Sequence, residues 1–371
     1  AAIQLGFPLL LRPSYVLGGR GMAIAYGKDR LHKYLNAAFE SAPGQAVLVD
    51  KFLEDAFEVD VDAIGDGADC IIAGVMQHIE EAGVHSGDSS SVLPTYMIGE
   101  QHLAEIIAVT RLLARELRVI GMMNIQYAIA QGKLYVLEVN PRASRTVPYV
   151  AKSTGVPLVK IATQLMLGKT LKELGMTKDL SVPRYFVKTP VFPFIKFPGV
   201  DPKLSPEMRS TGEVMGSGED FGTAFYKALL AAGLMLPGSG SILVSVNDFD
   251  KKGLLPIARQ FAGLGFRLIA TTGTATFLQD MGLEVESVLK TSEGRPNCVD
   301  LIKNAKIDLI INTPLGETSF KDGWAIRTAA IQHNIPCITT LSGASAAVEA
   351  VKAIRRGDMS VLSIQEVHRR T

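Results

Sequence analysis

Along the first half of the chain, the spacing of apolar positions switches between two and about 3.6, the periods of a strand and of a helix. "FPLLLRPS" (residues 7–14) reads as a strand and "LGGRGM" (17–22) as a glycine-rich turn. "KDRLHKYLNAAFES" (28–41) is helical, with Leu31, Leu35, Ala38 and Phe39 on one stripe. "AVLVDKFL" (46–53) and "EVDVDAIGDG" (58–67) read as strands, and "GEQHLAEIIAVTRLLARELR" (99–118) as a long amphipathic helix. "MMNIQYAIAQGKLYVLEVN" (122–140) alternates as two strands joined by a turn at Gln131-Gly132. Residues 151–176 are expected to be helical again. Residues 238–371 repeat strand–helix units, from "SILVSV" through "FRLIAT", "LEVESVLK" and "DLIINT" to "IPCITT". Five strands alternating with helices predict a parallel, doubly wound sheet. Between these regions, residues 199–237 are rich in Pro, Gly and Ser. They read as a linker, or as a loop packed on the first domain, because Met208, Val214 and Met215 need burial. The expectation is a multidomain chain, mixed α/β and α+β, divided as 1–198, 199–237 and 238–371.

Composition adds bounds. A chain of 371 residues suits two or three domains. With 47% hydrophobic and 20% charged residues it has ample core, and a net charge of +1 exerts no overall pull toward nucleic acid or membrane. Neither is expected as a partner. Cys70, Cys298 and Cys337 form no CxxC pair, which argues against zinc and disulfide frameworks and fits the reducing cytoplasm. Pro and Arg interrupt the opening apolar run, so no signal peptide is read. The chain opens without Met, inside a strand-like segment, and is expected to be part of a longer polypeptide.

"VLEVNPRASR" (136–145) breaks the apolar pattern. Glu138, Asn140, Arg142 and Arg145 follow an apolar strand, and burying them together is costly unless they satisfy one another or a ligand. Asn124 and Gln126 share one face of their strand, and Glu138 and Asn140 share one face of the next. If the strands pair, these oxygens suit a hard cation such as Mg²⁺, and the two guanidinium groups suit a carboxylate or phosphate. The plainer alternative is a buried Glu138–Arg142 ion pair closing the strand end. "RPSYVLGGRGM" places Arg12 before Gly18, Gly19 and Gly21, where backbone N–H groups can approach phosphate closely. It is neither a GxxxxGK[ST] loop nor a GxGxxG fingerprint. Together the two stretches point to phosphoryl transfer.

These residues also carry a family likeness. "LLLRPSYVLGGRGM", "IEEAGVHSGDSS" and "YVLEVNPRASRTVPYVAKSTG" resemble the ATP-grasp domain of the large subunit of carbamoyl phosphate synthetases. "FPFIKFPGVDPKLSPEMRSTGEVMG" resembles the segment ending that domain, and residues 238–371 resemble the family's methylglyoxal-synthase-like allosteric domain. Biotin carboxylases and purine-pathway ligases share the ATP-grasp fold, but the paired C-terminal domain separates them. The resemblance implies the second synthetic half, which phosphorylates carbamate with ATP. It implies Mg²⁺ or Mn²⁺ ligands at Gln126, Glu138 and Asn140, and phosphate and carbamate arginines at Arg12, Arg142 and Arg145. Nucleotide contacts fall on Gly18, Gly19, Lys51, Leu53, Glu58, His85 and Ser86, and a K⁺ site on Glu58, His78, Glu80 and Ser89. Without the family, His78 and His85 read as ordinary loop or core histidines. Ornithine-activated relatives carry three acids; Glu80 and Asp88 match two, and Thr189 stands at the third. The implied partners are the N-terminal half of the large subunit, which this sequence lacks, a glutamine amidotransferase small subunit supplying ammonia, and further copies in an oligomer.

The C-terminal region has its own candidate site. "TTGTAT", "KTSEGRP", "NTPLG" and "TTLSGAS" all follow predicted parallel strands, at the edge where open sheets bind ligands. Thr271, Thr272, Thr274, Lys290, Asn312, Thr339 and Thr340 offer donors for an anion, most naturally phosphate. The alternative is that these hydroxyls only cap helices. The resemblance implies an effector nucleotide, UMP or IMP, with Lys251 near its phosphate. Methylglyoxal synthases use acidic residues on this fold; the loops show no comparable Asp cluster, so regulation is expected here rather than catalysis.

Overall fold

The computed structural model describes residues 2–14, 18–41, 43–54, 56–196, 201–313, 317–357 and 359–369, with the side chains of 3, 41, 195 and 317–320 left aside. Residues 15–17 of the glycine-rich segment, 197–200 at the start of the connector and 314–316 of one donor-rich loop thus lie outside the described residues. The chain forms two compact units: Ala1–Lys188 with Ser205–Arg209 and Val361–Thr371, and Thr189–Leu204 with Ser210–Ser360.

The first unit begins with α1 (Ala2–Leu5), β1 (Leu9–Pro13), β2 (Ala23–Ala25), α2 (Lys28–Ser41) and β3 (Val47–Lys51). The three strands form an antiparallel sheet in the order β2-β1-β3, and Leu9, Leu11, Ala25 and Leu31 make its core. Next come β4 (Phe57–Asp66), β5 (Cys70–His78), β6 (Ser91–Leu93), α3 (Glu100–Glu116), β7 (Ile120–Ala130), β8 (Lys133–Asn140), α4 (Val147–Thr154), α5 (Leu158–Met166) and β9 (Tyr185–Val191). Their strands run β9-β6-β5-β4-β7-β8, each antiparallel to its neighbours. The two-residue period of β4 divides its side chains. Val59, Val61 and Ala63 join Ile125, Tyr127 and Ile106 of α3 in the main core, which leaves the even-numbered positions for the opposite face. The expected helix over 151–176 is shorter: α5 ends at Met166, and Gly168, at φ +94, turns the chain.

The second unit contains a short 3₁₀ turn (Phe194–Lys196), β10 (Gly212–Gly218), α6 (Phe221–Ala231), β11 (Ser241–Val246), α7 (Lys251–Gly263), β12 (Arg267–Thr271), α8 (Thr272–Asp280), β13 (Val285–Val288), α9 (Cys298–Lys303), β14 (Leu309–Thr313), α10 (Glu317–Gln332), β15 (Cys337–Ile338) and α11 (Leu341–Arg356); α12 (Ile364–Arg369) returns to the first unit. The five-stranded sheet, in the order β13-β12-β11-β14-β15, is parallel throughout, as the strand–helix alternation predicts. Part of the Pro/Gly/Ser-rich connector is regular structure. A Cβ on Gly216 would lie 2.3 Å from the Ala224 carbonyl oxygen, so this glycine lets β10 and α6 touch. Asp220 caps α6 by accepting from the Thr223 N–H at 3.0 Å. All three cysteines are free, and burial pushes each thiol up, to about 11 for Cys70 and Cys298 and about 12 for Cys337. Among the described residues no helix is long and apolar enough to cross a membrane.

Candidate functional site

The opposite face of the large sheet is a polar array laid out by strand register. Asp62 of β4 faces Asn124 of β7, which faces Asn140 of β8. One step along, Asp60 faces Gln126, which faces Glu138. The next step is Glu58 opposite Ala128. Beyond it the face turns apolar: Ala56, Ala128 and Ala130 cluster with Leu53 and Ala82. One direction along the strands therefore passes from a small-residue apolar patch, to a carboxylate, to an oxygen-rich group, and then to the arginine loop 141–146. The expected pairing of the two strands is present, with Gln126 opposite Glu138 and a bulge just beyond them.

Glu138, Arg142 and Arg145 are exposed, contrary to the expectation that they are buried. The reason is position: β8 is the edge strand, and Tyr135, Val136 and Leu137 are exposed as well. No Glu138–Arg142 ion pair forms among the described residues. Glu138 Oε1 accepts from Asn140 Nδ2 at 2.8 Å, and Arg142 Nη1 donates to the Ala143 carbonyl at 3.2 Å. Arg145 lies against the Met208 sulfur and beside Gly87, whose added Cβ would come 3.0 Å from its Nη1. His85 Nδ1 accepts from the Gly87 N–H at 3.0 Å. Burial lowers its pKa, with Asp88, Arg145, Glu138 and Asp60 all acting on the ring, so His85 is neutral and sits electrostatically within this group. The Ser86 carbonyl accepts from the buried Lys188 ammonium at 3.1 Å.

His78 is buried between two carboxylates, with Nδ1 3.2 Å from Glu58 and Nε2 3.2 Å from Asp60. Burial lowers its pKa, but Asp60 and Glu58 outweigh that and hold it up at about 10. A ring held protonated in this way offers a cation no lone pair. Glu80 is half-buried and accepts from the Ser89 hydroxyl at 2.8 Å and the Ser90 N–H at 2.6 Å. Glu58 also accepts from the Gly83 N–H at 3.3 Å. Among the described residues no three His, Cys, Asp or Glu side chains converge as a metal cluster. Gln126 and Glu138 stand opposite each other with Asn140 one step along, an amide and carboxylate oxygen set that suits a hard ion.

Two acids on this face escaped the sequence reading. Asp60 is 3% exposed and its Oδ1 has no hydrogen-bond partner among the described residues. Asp62 is fully shielded and is pushed up to about 6 by burial, against hydrogen bonds from Thr146, Asn124 and Ser144. The available signal was the alternation Glu58-Asp60-Asp62 in "EVDVDA".

The small sheet supplies the remaining candidates of the first unit. Arg12 Nη1 is 3.5 Å from Asp50 Oδ2. Gly18, Gly19 and Gly21 all have positive φ, and a Cβ on Gly19 would lie 2.1 Å from the Pro206 carbonyl oxygen. Met208 links this turn to the arginine loop, because its N–H donates to the Gly18 carbonyl at 2.9 Å while its sulfur meets Arg145. Lys51 Nζ donates to the Phe7 carbonyl at 2.7 Å, so its side chain is engaged with the segment leading into β1.

In the second unit the donor-rich loops separate into two kinds. Asn312 is buried; its Nδ2 donates to the Ser245 carbonyl at 2.9 Å and its Oδ1 accepts from Arg327 at 2.7 Å. Both ends of the buried amide are engaged with the protein, so Asn312 braces the sheet. Thr271 and Thr274 are buried, with hydroxyls turned to Ser245 Oγ at 3.2 Å and the Val246 carbonyl at 3.5 Å. Thr340 caps α11 by accepting from the Gly343 N–H at 3.1 Å. Thr339 is half-buried. The accessible donors gather elsewhere. Lys251 Nζ lies 2.7 Å from Asp248 and 3.6 Å from where a Cβ on Gly273 would stand, at the start of α8. The Lys251 hydrogen bond and charge, and then Lys290, hold Asp248 below the usual carboxylate range. Thr272 Oγ1 and the Lys290 N–H both donate to Glu293, at 3.5 and 2.9 Å.

Residues 1–174 match the family described as carbamoyl-phosphate synthase L chain, ATP binding domain, and residues 253–339 match the MGS-like domain family. The carbamoyl phosphate synthase large chain of Archaeoglobus fulgidus is 55% identical over 368 residues, covering 99% of this chain and 34% of that one. The carbamoyl phosphate synthase large chain, C-terminal section, of Aquifex aeolicus is 47% identical over 390 residues, covering 99% of this chain and 72% of that relative. The chain belongs to the carbamoyl phosphate synthase large-chain family. It spans about a third of the length of the large chains it matches, 34% for the Acidobacterium capsulatum protein as well. Among solved structures, the biotin carboxylase domain of Hydrogenobacter thermophilus 2-oxoglutarate carboxylase, a dimer complexed with MgADP, ADP and bicarbonate, is 18% identical at a TM-score of 0.50, over 62% of this chain and 58% of that one. At that identity the likeness is one of fold; the two family matches give an ATP-grasp domain followed by an MGS-like domain.

Proposed function

We propose that the chain phosphorylates carbamate with ATP, as the C-terminal half of a carbamoyl phosphate synthase large chain feeding pyrimidine and arginine synthesis in the cytoplasm. The observation that carries this reading is the order of groups along one sheet face. The alanine patch with Leu53 suits a base, Glu58 the ribose hydroxyls, and Gln126, Glu138 and Asn140 a phosphate-bound Mg²⁺ or Mn²⁺. Arg142 and Arg145, with Arg12 and the Gly18–Gly19 backbone, suit the phosphates and the carbamate. When bound, the divalent ion supplies charge neutralisation at the phosphates. The residues of the chain hold a carbamate oxygen in line with the γ-phosphorus; a P–O bond forms to carbamate while the bond to the ADP oxygen breaks. K⁺ is assigned to Glu58, His78, Glu80 and Ser89, with His78 contributing an atom outside its ring. Formation of ATP from carbamoyl phosphate and MgADP by the full-length large chain tests the reading; no ATP from a folded, nucleotide-binding protein rejects it.

The arginines give a sharper version of that test. A lysine's point charge does not replace a bidentate fork. Arg142→Lys and Arg145→Lys are each expected to lower the rate at least about tenfold. Both side chains are exposed, so melting temperature should hardly move. A lowered melting temperature with normal kinetics would instead mark them as structural.

For the second unit we propose an effector site for UMP or IMP, centred on Lys251, Lys290, Thr272 and the start of α8. The N-terminal half of the large chain, a glutamine amidotransferase subunit and oligomer partners complete the proposed assembly. Lys290→Ala should weaken effector binding about tenfold, measured by calorimetric titration, and the parent's affinity should fall with added salt. Equal affinity in parent and variant would leave the hydroxyls as helix caps.

A further inference from the structure

We infer that Asp62 is a positioning residue for the arginine loop, gripping the chain on both sides of Arg145 from the centre of the sheet. The inference rests on the proposed substrate role of Arg142 and Arg145. Asp62 Oδ1 accepts from Asn124 Nδ2 at 3.0 Å and from Ser144 Oγ at 2.8 Å, and Oδ2 accepts from Thr146 Oγ1 at 2.6 Å. The two hydroxyls are themselves 2.7 Å apart. These three donors are neutral, and Asp62 has no exposed surface. A fully buried carboxylate held by neutral donors alone is a costly way to fill a strand position, where an apolar side chain would be cheaper.

What the carboxylate achieves is geometric. Ser144 and Thr146 lie 82 and 84 positions further along the chain and flank Arg145 directly. Thr146 is also the residue from which α4 starts. The third donor, Asn124, stands opposite Asn140 in the β7–β8 pair. One buried group thereby fixes the chain on both sides of Arg145, at the end of the loop that leads into α4, and also holds Asn124, the strand partner of the residue that ends β8. An exposed loop carrying two long cationic side chains otherwise has to be ordered when substrate arrives, at a cost in rate and affinity. With the loop tied to β4, the arginines start near their working places.

The test uses the full-length large chain and ATP formation from carbamoyl phosphate and MgADP. Asp62→Ala and the double variant Ser144→Ala/Thr146→Val are each expected to lower kcat about ten- to a hundredfold, the range seen when outer supporting groups are removed. KM for MgADP should stay within about twofold, because the apolar patch and Glu58 are untouched. Asp62→Asn keeps two acceptor contacts and can donate to the Thr146 hydroxyl, so it should restore kcat to within about threefold of the parent. If Asp62→Ala does not fold, the Ser144/Thr146 pair carries the same comparison. In an Arg145→Ala background, Asp62→Ala should cost clearly less than it does in the parent, because the part of its effect that runs through Arg145 is already lost. Near-parental kcat in Ser144→Ala/Thr146→Val, an Asp62→Asn as impaired as Asp62→Ala, or additive losses with Arg145→Ala would each overturn the inference. Full activity of Arg145→Ala would overturn the substrate role on which it rests; lost activity there with Asp62→Ala intact would overturn the positioning role alone.

Discussion

Glu138→Gln is expected to leave the fold intact and to lower ATP formation from carbamoyl phosphate and MgADP by at least about a hundredfold, or roughly 3 kcal/mol of transition-state stabilisation. Glu138 is exposed on an edge strand, and its hydrogen bond in the structure comes from the neighbouring Asn140 amide. A glutamine keeps the size and one acceptor oxygen, so thermal unfolding should match the parent closely. What it loses is the carboxylate charge, at the one position of the Gln126–Glu138–Asn140 group where a charge exists. Amide oxygens bind hard cations more weakly than carboxylates do, so the loss should appear in the metal dependence of the rate. Assays across a Mg²⁺ series, with melting curves alongside, separate the cases. A variant with near-normal rate at ordinary Mg²⁺ removes Glu138 from the ligand set.

The polar array was partly legible because strand periodicity is reliable over short distances. Alternation alone placed Gln126 and Glu138 on facing strands, and the turn at Gln131-Gly132, with φ of +50 and +72, set their register. Burial was not legible in the same way. "KLYVLEV" is apolar enough to look interior, but sheet order puts β8 on the edge, and no local pattern reveals sheet order. Asp60 and Asp62 were hidden for a related reason. Their alternation with Val59 and Val61 reads as an ordinary strand with one wet face, and only long-range packing shows that the face is covered. Gly74, opposite Asp62 on β5, packs under Val150 of α4, where an added Cβ would come within 3.1 Å. The connector left two readings open, a linker and a packed loop. Glycines at 212, 216 and 218 resemble a linker, yet Gly216 and Gly218 permit close contact with α6, at 2.3 and 2.7 Å from its backbone for an added Cβ. In the C-terminal sheet the Thr-rich loops lie at strand ends as expected, but hydroxyls at 271, 274 and 340 face the protein. Sequence position gives the edge of the sheet, and the rotamers decide which donors face solvent.

The second unit should be most sensitive at Arg327. Its side chain is 0% exposed and grips Asp201 through two bonds of 2.6 Å, Nε to Oδ1 and Nη2 to Oδ2, with Nη1 donating to Asn312 at 2.7 Å. Asp201 lies in the connector and Arg327 in α10, so the pair pins residues 201–204 within the unit and steadies Asn312 against β11. Removing one member of a buried pair leaves the other charge uncompensated, which typically costs about 3–5 kcal/mol. Arg327→Ala and Asp201→Ala are each expected to destabilise by that amount, a fall in the second unit's melting temperature on the order of 10 °C. Asp201→Ala should be the worse of the two, because it strands a guanidinium with no surface, whereas Asp201 retains some contact with water. The joint variant Arg327→Met/Asp201→Leu removes both charges and should recover most of the loss. Urea unfolding of all four proteins measures this directly. Additive losses in the joint variant, or single variants within about 0.5 kcal/mol of the parent, would show that the connector is held by its apolar contacts and not by this pair.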